Sequence, residues 1–121
     1  MSKWDKLNVG RADRPDVGVL VFRLSGVLDS SQESYAFLEQ VQFESHKGPP
    51  KVVIDLRAVT LITSAGVGII AACYTSVTNA GGKICVASVP GRAQTVLNVV
   101  HILDVIGNAE DEDAAVKLVC S

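Results

Sequence analysis

The sequence predicts an α/β domain: a four- or five-stranded mixed β-sheet with about four α-helices packed mainly on one face. Alternation is the first observation behind this. After Gly26 the chain runs helix, strand, helix, strand, helix, helix, the order of βαβ crossovers. The second is the continuous apolar run Val52-Val53-Ile54 that ends at Asp55-Leu56, the mark of a strand covered on both faces. The third is punctuation. Gly48-Pro49-Pro50 and Asn79-Ala80-Gly81-Gly82 separate the periodic segments with turn chemistry.

Taken in order, Leu7 to Arg11 is a weak first strand, and Arg14-Pro15-Asp16 is a turn. Val17 to Ser25 is a β-branched central strand that Gly26 is expected to end. Ser30-x-x-Glu33 has the form of a capping box, so a helix should begin near Ser31, with Tyr35, Leu38 and Val41 as its core stripe. The strand Lys51 to Leu56 follows. A short linker leads to a helix starting at Ser64, whose Val67, Ile70, Ala71, Tyr74 and Val77 fall on one face. Lys83 to Ala87 is a further strand. Pro90 suits a first helical turn, continued by Ala93, Val96, Leu97 and Val100. Ile102 to Ile106 is a strand or a loop that plugs the core. Asn108 and the acids Glu110 to Asp113 open a last helix with core contacts at Ala115, Leu118 and Val119.

Composition narrows the function. A chain of 121 residues is enough for one domain and too short for two. It is 48% hydrophobic and 20% charged, as a globular domain with a core should be. The net charge of −2, with no cluster of Lys or Arg, argues against a nucleic-acid partner. No signal peptide is visible, and the apolar stretch Leu61 to Cys73 is too short and too interrupted for direct membrane insertion. A cytoplasmic location is expected. Cys73, Cys85 and Cys120 fit no zinc spacing and are expected to be buried, reduced thiols.

Few residues suggest chemistry. His46 and His101 stand alone, and there is no phosphate-cradling loop, nucleophile elbow or paired catalytic acid. No cofactor is implied. Asp55 is expected at a strand end, accepting N–H bonds in the turn that follows. Asp29 also follows a strand, but two carboxylates without a third ligand do not make a metal site.

The segment Thr63-Ser64-Ala65-Gly66-Val67-Gly68 is different. Ser64 falls where a helix starts, and an N-cap serine is worth about 1 kcal/mol. Gly66 and Gly68 each cost the first turns roughly 0.5–1 kcal/mol against alanine, so something is expected to approach the backbone there. The approaching group is a partner, a phosphate or the chain's own sheet. A phosphate on Ser64 would meet unpaired N–H groups and the positive end of the helix dipole.

Two motifs carry a family resemblance. Leu24-Ser25-Gly26-Val27-Leu28-Asp29 resembles the L-x-G-x-L-D element of STAS domains. Val53-Ile54-Asp55-Leu56 with Val59, then Ile62 to Gly68, resembles their central D-L-x-x-V motif and the D-S-[SA]-G-[LV]-G segment after it. Gly81-Gly82-Lys83 and the helix after Pro90 look like later family elements. The likeness covers about residues 7–119, which implies a single STAS domain over 1–121.

What the resemblance implies is a non-enzymatic module of the bacterial anti-sigma factor antagonist type. Such a protein binds an anti-sigma factor that is also a serine kinase, is phosphorylated by it on the serine matching Ser64, and is restored by a PP2C-type phosphatase. Asp29, Thr63, Ser64, Ala65, Gly66 and Gly68 are the implied partner surface. At one place the chain departs from the pattern. The residue before the serine is commonly Asp, and here it is Thr63, which changes the charge offered to a kinase and adds a second candidate acceptor. An alternative is a constitutive, unphosphorylated regulatory subunit of a membrane transport system or sensory assembly. A third, weaker reading is nucleotide binding around Ser64.

Overall fold

The computed structural model describes residues 6–91, 93–94, 102 and 105–121. Five strands form one sheet in sequence order: β1 (Asn8–Arg11), β2 (Val19–Leu28), β3 (Lys51–Ile62), β4 (Lys83–Ala87) and β5 (Gly107–Ala109). β1 pairs antiparallel with β2, and every later pairing is parallel, so the sheet is mixed as expected. Three helices are described: α1 (Gln32–His46), α2 (Ser64–Asn79) and α3 (Glu112–Cys120). Of the helix expected after Pro90, Val96, Leu97 and Val100 lie outside the described residues, as does His101. Ala93 is described and buried.

Strand alternation sorts the core into two layers. Phe22, Leu24, Val52, Ile54, Leu56, Ile84 and Val86 point towards α1 and α2. Val19, Val21, Val53, Cys85 and Ala87 point the other way, towards α3. Phe22 and Phe37 meet edge to face, with centroids 5.5 Å apart. Two of the described helices thus share one face, and α3 covers the other.

Both central strands run further than the sequence suggested. Gly26 does not end β2. It takes φ 90° at an irregularity in the β2–β3 register, and pairing continues to Leu28 opposite Ile62. β3 likewise passes Leu56 and absorbs the supposed linker. β5 was not expected as a strand. It is three residues long, so backbone pairing to β4 defines it rather than side-chain character. Asn108 lies within it, and Asp111 caps α3 by accepting the Ala114 N–H at 2.8 Å. Ile102 and Ile106 are buried, and the Ile106 N–H donates to the Ile102 carbonyl, so this end of the segment turns into the core.

Helix rotation also differs from the expected stripes, for identifiable reasons. Ser34, hydrogen-bonded beneath α1, turns Phe37 and Val41 inward and leaves Tyr35 48% exposed and Leu38 half-buried. In α2 the buried residues are Gly66, Val67, Ile69, Ile70, Cys73 and Val77, while Ala71 is exposed and Tyr74 half-buried. The helix is apolar on most sides, and the close contact at Gly66 selects the face. In α3, Glu112 binds the sheet, so residues at i+3, i+4 and i+7 from it (Ala115, Val116 and Val119) face inward. Leu118 turns outward, 48% exposed.

Candidate functional site

β2 and β3 are parallel neighbours and deliver their chains to the same end of the sheet. Leu28 and Ile62 are register partners, so Asp29 and Thr63 leave the sheet side by side. The Thr63 N–H donates to the Leu28 carbonyl at 3.1 Å and ties the two exits together. One chain enters α1 and the other α2.

Thr63 is the N-cap of α2. Its Oγ1 accepts the Gly66 N–H at 3.2 Å, and its carbonyl accepts the Val67 N–H at 2.9 Å. Ser64 is therefore the first helical residue rather than the cap. It is exposed, and among the described residues no side-chain hydrogen bond holds its hydroxyl. The Ser64 and Ala65 N–H groups belong to the helix start and have no intrahelical acceptor. α2 carries no charged residue along its length. A negative group on Ser64 would meet a helix N-terminus and no acidic side chain of its own helix.

The two glycines separate. A Cβ on Gly66 would collide with the Leu28 carbonyl oxygen and lie 2.8 Å from its carbon and 3.1 Å from Ile62 Cγ2. Gly66 is buried, so its backbone is closed by the chain's own sheet and is not accessible as expected. A Cβ on Gly68 would meet nothing within 4 Å, and Gly68 is exposed beside Ser64 on the outer side of α2. Ala65 is half-buried between them.

Asp29 lies at the neighbouring helix start and is held tightly there. Its Oδ1 accepts the Ser31 N–H at 2.9 Å and the Ser34 hydroxyl at 3.3 Å, while its own N–H donates to Ser34 Oγ at 3.1 Å. Hydrogen bonding from the Ser31 side chain, then from the Ser31 backbone and Ser34, holds the Asp29 carboxyl below the usual range. The α1 cap is Ser31, which accepts the Ser34 N–H at 3.2 Å; the Ser30–Glu33 box is not formed. Ser34, wholly buried, is the residue that sequence reasoning missed. A serine at the third helical position was its only trace.

Asp55 is not part of this site. It lies inside β3, not at its end, and its side chain faces α3 across the sheet from Asp29. It does accept an N–H bond locally, from Arg57 at 2.9 Å. No group of three or more His, Cys, Asp or Glu among the described residues could hold a metal ion. Burial pushes the Cys73 thiol up to about 12 and the Cys85 thiol up to about 11, whereas Cys120 is exposed, against expectation. No helix among the described residues is long and apolar enough to cross a membrane.

Comparison with known proteins gives the fold a family. No curated protein matches the sequence. Among solved structures, an anti-sigma factor antagonist from Mycobacterium paratuberculosis matches with TM-score 0.83 at 24% identity, covering 100% of both chains. A sulfate transporter family protein from Wolinella succinogenes matches with TM-score 0.67 at 15% identity over 84% of each chain. The Bacillus cell fate determinant SpoIIAA in its phosphorylated form matches with TM-score 0.59 at 15% identity, over 93% of this chain and 99% of that one. At these identities the likeness establishes the fold. A family model for the STAS domain matches residues 12–115, and the chain belongs to the STAS domain family.

Proposed function

We propose that this protein is a non-enzymatic binding module of the anti-sigma factor antagonist type, switched by reversible phosphorylation of Ser64. One observation carries the reading. Thr63 does the capping, so Ser64 is left exposed at a helix N-terminus with no structural duty for its hydroxyl. A phosphate there adds about −1.5 to −2 charge at pH 7, where the helix dipole offsets part of it. The fold then stays intact, and the partner surface formed by Ser64, Ala65, Gly68 and the adjoining Asp29 turn changes charge and shape. The partner is an anti-sigma factor with serine kinase activity, and a PP2C-type phosphatase reverses the mark. The antagonist described from Mycobacterium paratuberculosis supports the partner class, and the phosphorylated Bacillus structure supports phosphate tolerance in this fold.

Thr63 favours a second reading. Its hydroxyl is engaged in the cap, and no carboxylate stands before the serine. A constitutive regulatory subunit of a transport system needs no acceptor, and the Wolinella transporter-family structure has the same fold. The experiment that separates the two is incubation with the cognate kinase and Mg-ATP followed by mass spectrometry. A phosphate on Ser64, absent in Ser64→Ala, is expected. An active kinase that leaves the protein unmodified, or marks only Thr63, overturns the switch and leaves the constitutive subunit.

A further inference from the structure

α3 leaves one end of its own sheet face bare. The helix starts over the row of Arg23 and Asp55, where Glu112 accepts from the Arg23 guanidinium at 2.6 Å and 2.9 Å. It ends near the row of Val19, Lys51 and Lys83, where Lys83 Nζ donates to the Ser121 carbonyl. Two rows lie beyond its start, Ser25 with Ala58 and Val27 with Leu61. Their side chains belong to the α3 face, because Leu24, Leu28 and Ile62 beside them point into the α1–α2 core and strand residues alternate. Among the described residues, α3 runs away from these rows. Leu61 is 52% exposed, Ala58 is exposed and Val27 is half-buried. A valine and a leucine thus stand side by side on an open sheet surface, at the end from which Asp29 and Thr63 leave.

The chain enters the fold beside this surface. β1 is the edge strand, and its Asn8 pairs with Ser25. Leu7 is buried in the α1–α2 core, so by alternation the Asn8 side chain stands on the α3 face. The chain bends at Lys6, and Asn8 Nδ2 donates to the Lys6 carbonyl at 3.4 Å. That bond draws the bend towards the α3 face. Counted back along the β1–β2 register, Lys6 comes level with Val27. Before it the sequence reads Met1-Ser2-Lys3-Trp4-Asp5, outside the described residues. From the line of β1 to midway between β2 and β3 is about 7 Å, and the extended chain from Lys6 to Trp4 spans about the same. A tryptophan buries about 150–250 Å², enough to cover one valine and one leucine.

We propose that Trp4 lies across Val27 and Leu61, the residues before β1 forming a strap that closes the open end of the α3 face. The indole gives both side chains apolar cover, while its N–H, at the ring edge, stays towards water. Lys3 and Asp5 flank Trp4 and alternate away from the sheet, the apolar-in, polar-out order of a strand with one wet face. The covered rows adjoin the Leu28–Ile62 pair, from which the chain passes to Asp29 and Thr63. The strap therefore braces that end of the sheet from the side opposite α2.

Trp4 is the only tryptophan of the chain, so intrinsic fluorescence of the full protein reads the strap directly. The native protein should emit at shorter wavelength than the chain unfolded in guanidinium chloride, and acrylamide should quench it several-fold less. Leu61→Glu, at a side chain already half open to water, should move both readings most of the way to the unfolded values with the circular dichroism spectrum unchanged. Val27→Thr, which keeps the β-branched shape, should move them the same way by less. Leu118→Glu is the control: its side chain is similarly exposed on the outer side of α3, and it should move neither reading. Native emission and quenching equal to those of the unfolded chain overturn the strap. A blue-shifted emission indifferent to Leu61→Glu also overturns it, since the indole is then buried elsewhere. A blue shift lost on dilution, with a dimer in sedimentation, assigns the face to a second copy and overturns it too.

Discussion

Gly66 and Gly68 look equivalent in sequence and are opposites in the structure. Each was flagged by the same argument, that glycine in a first turn is costly unless something comes close. At Gly66 the close neighbour is the Leu28 carbonyl, inside the domain. At Gly68 nothing internal approaches, so the space is left for whatever docks against α2. Gly66→Ala should therefore lower stability by roughly 1–3 kcal/mol, through overpacking against rigid backbone. Gly68→Ala should raise it by about 0.5–1 kcal/mol, as glycine-to-alanine does in an unobstructed helix. Gly68→Leu should barely move the melting temperature and should weaken partner capture in a pull-down. Thermal melts of the three variants check the assignment, and equal losses at both positions would refute it. The sequence held the cost of each glycine but not its direction. Direction depends on which helix face meets β2, a long-range fact.

The helix starts show what local pattern can and cannot resolve. A serine or threonine before an apolar run marked the starts of α1 and α2 within one residue, because the capping oxygen is a local requirement, whereas α3, expected to open at Asn108, is capped three residues later by Asp111. The pattern could not decide between adjacent hydroxyls, Ser30 against Ser31 and Thr63 against Ser64. That choice is made by the strand exits at Leu28 and Ile62, which fix where helical geometry begins. The same limit hid the ends of β2 and β3. Register irregularities there break the alternation that identifies a strand, so Gly26 read as a stop and Arg57 to Ile62 as a linker. β4, regular and buried, was legible residue for residue. A consequence at this scale is a cap test. Thr63→Ala should cost about 1 kcal/mol in unfolding free energy, whereas Ser64→Ala should stay within about 0.5 kcal/mol of wild type. Thr63→Asp keeps a good capping oxygen and adds favourable charge at the dipole, so it should fold at least as well as wild type.

Across the whole molecule the sheet divides two tasks. One end of its α1–α2 layer presents Asp29, Ser64 and Gly68 together, while the far face holds α3 through the Arg23–Glu112 ion pair. A modification at Ser64 therefore acts far from the ion-paired face and on a helix start that already favours negative charge. Phosphorylation should change affinity without changing fold. Ser64→Asp should show an unaltered circular dichroism spectrum and a melting temperature near that of wild type, yet bind the kinase-type partner much more weakly. How it weakens binding is itself measurable. A charge clash across a partly wet interface is screened as ionic strength rises, since the Debye length shrinks from about 10 Å at 0.1 M to about 3 Å at 1 M salt. A steric block is not. If like charge dominates, the affinity ratio of Ser64→Ala to Ser64→Asp should narrow towards one as salt is raised, with Ser64→Ala nearly constant. Ser64→Asn, close to the acid in bulk but uncharged, should then bind almost as well as Ser64→Ala. A ratio unchanged by salt, with Ser64→Asn as weak as Ser64→Asp, would assign the switch to shape at the α2 start and not to charge.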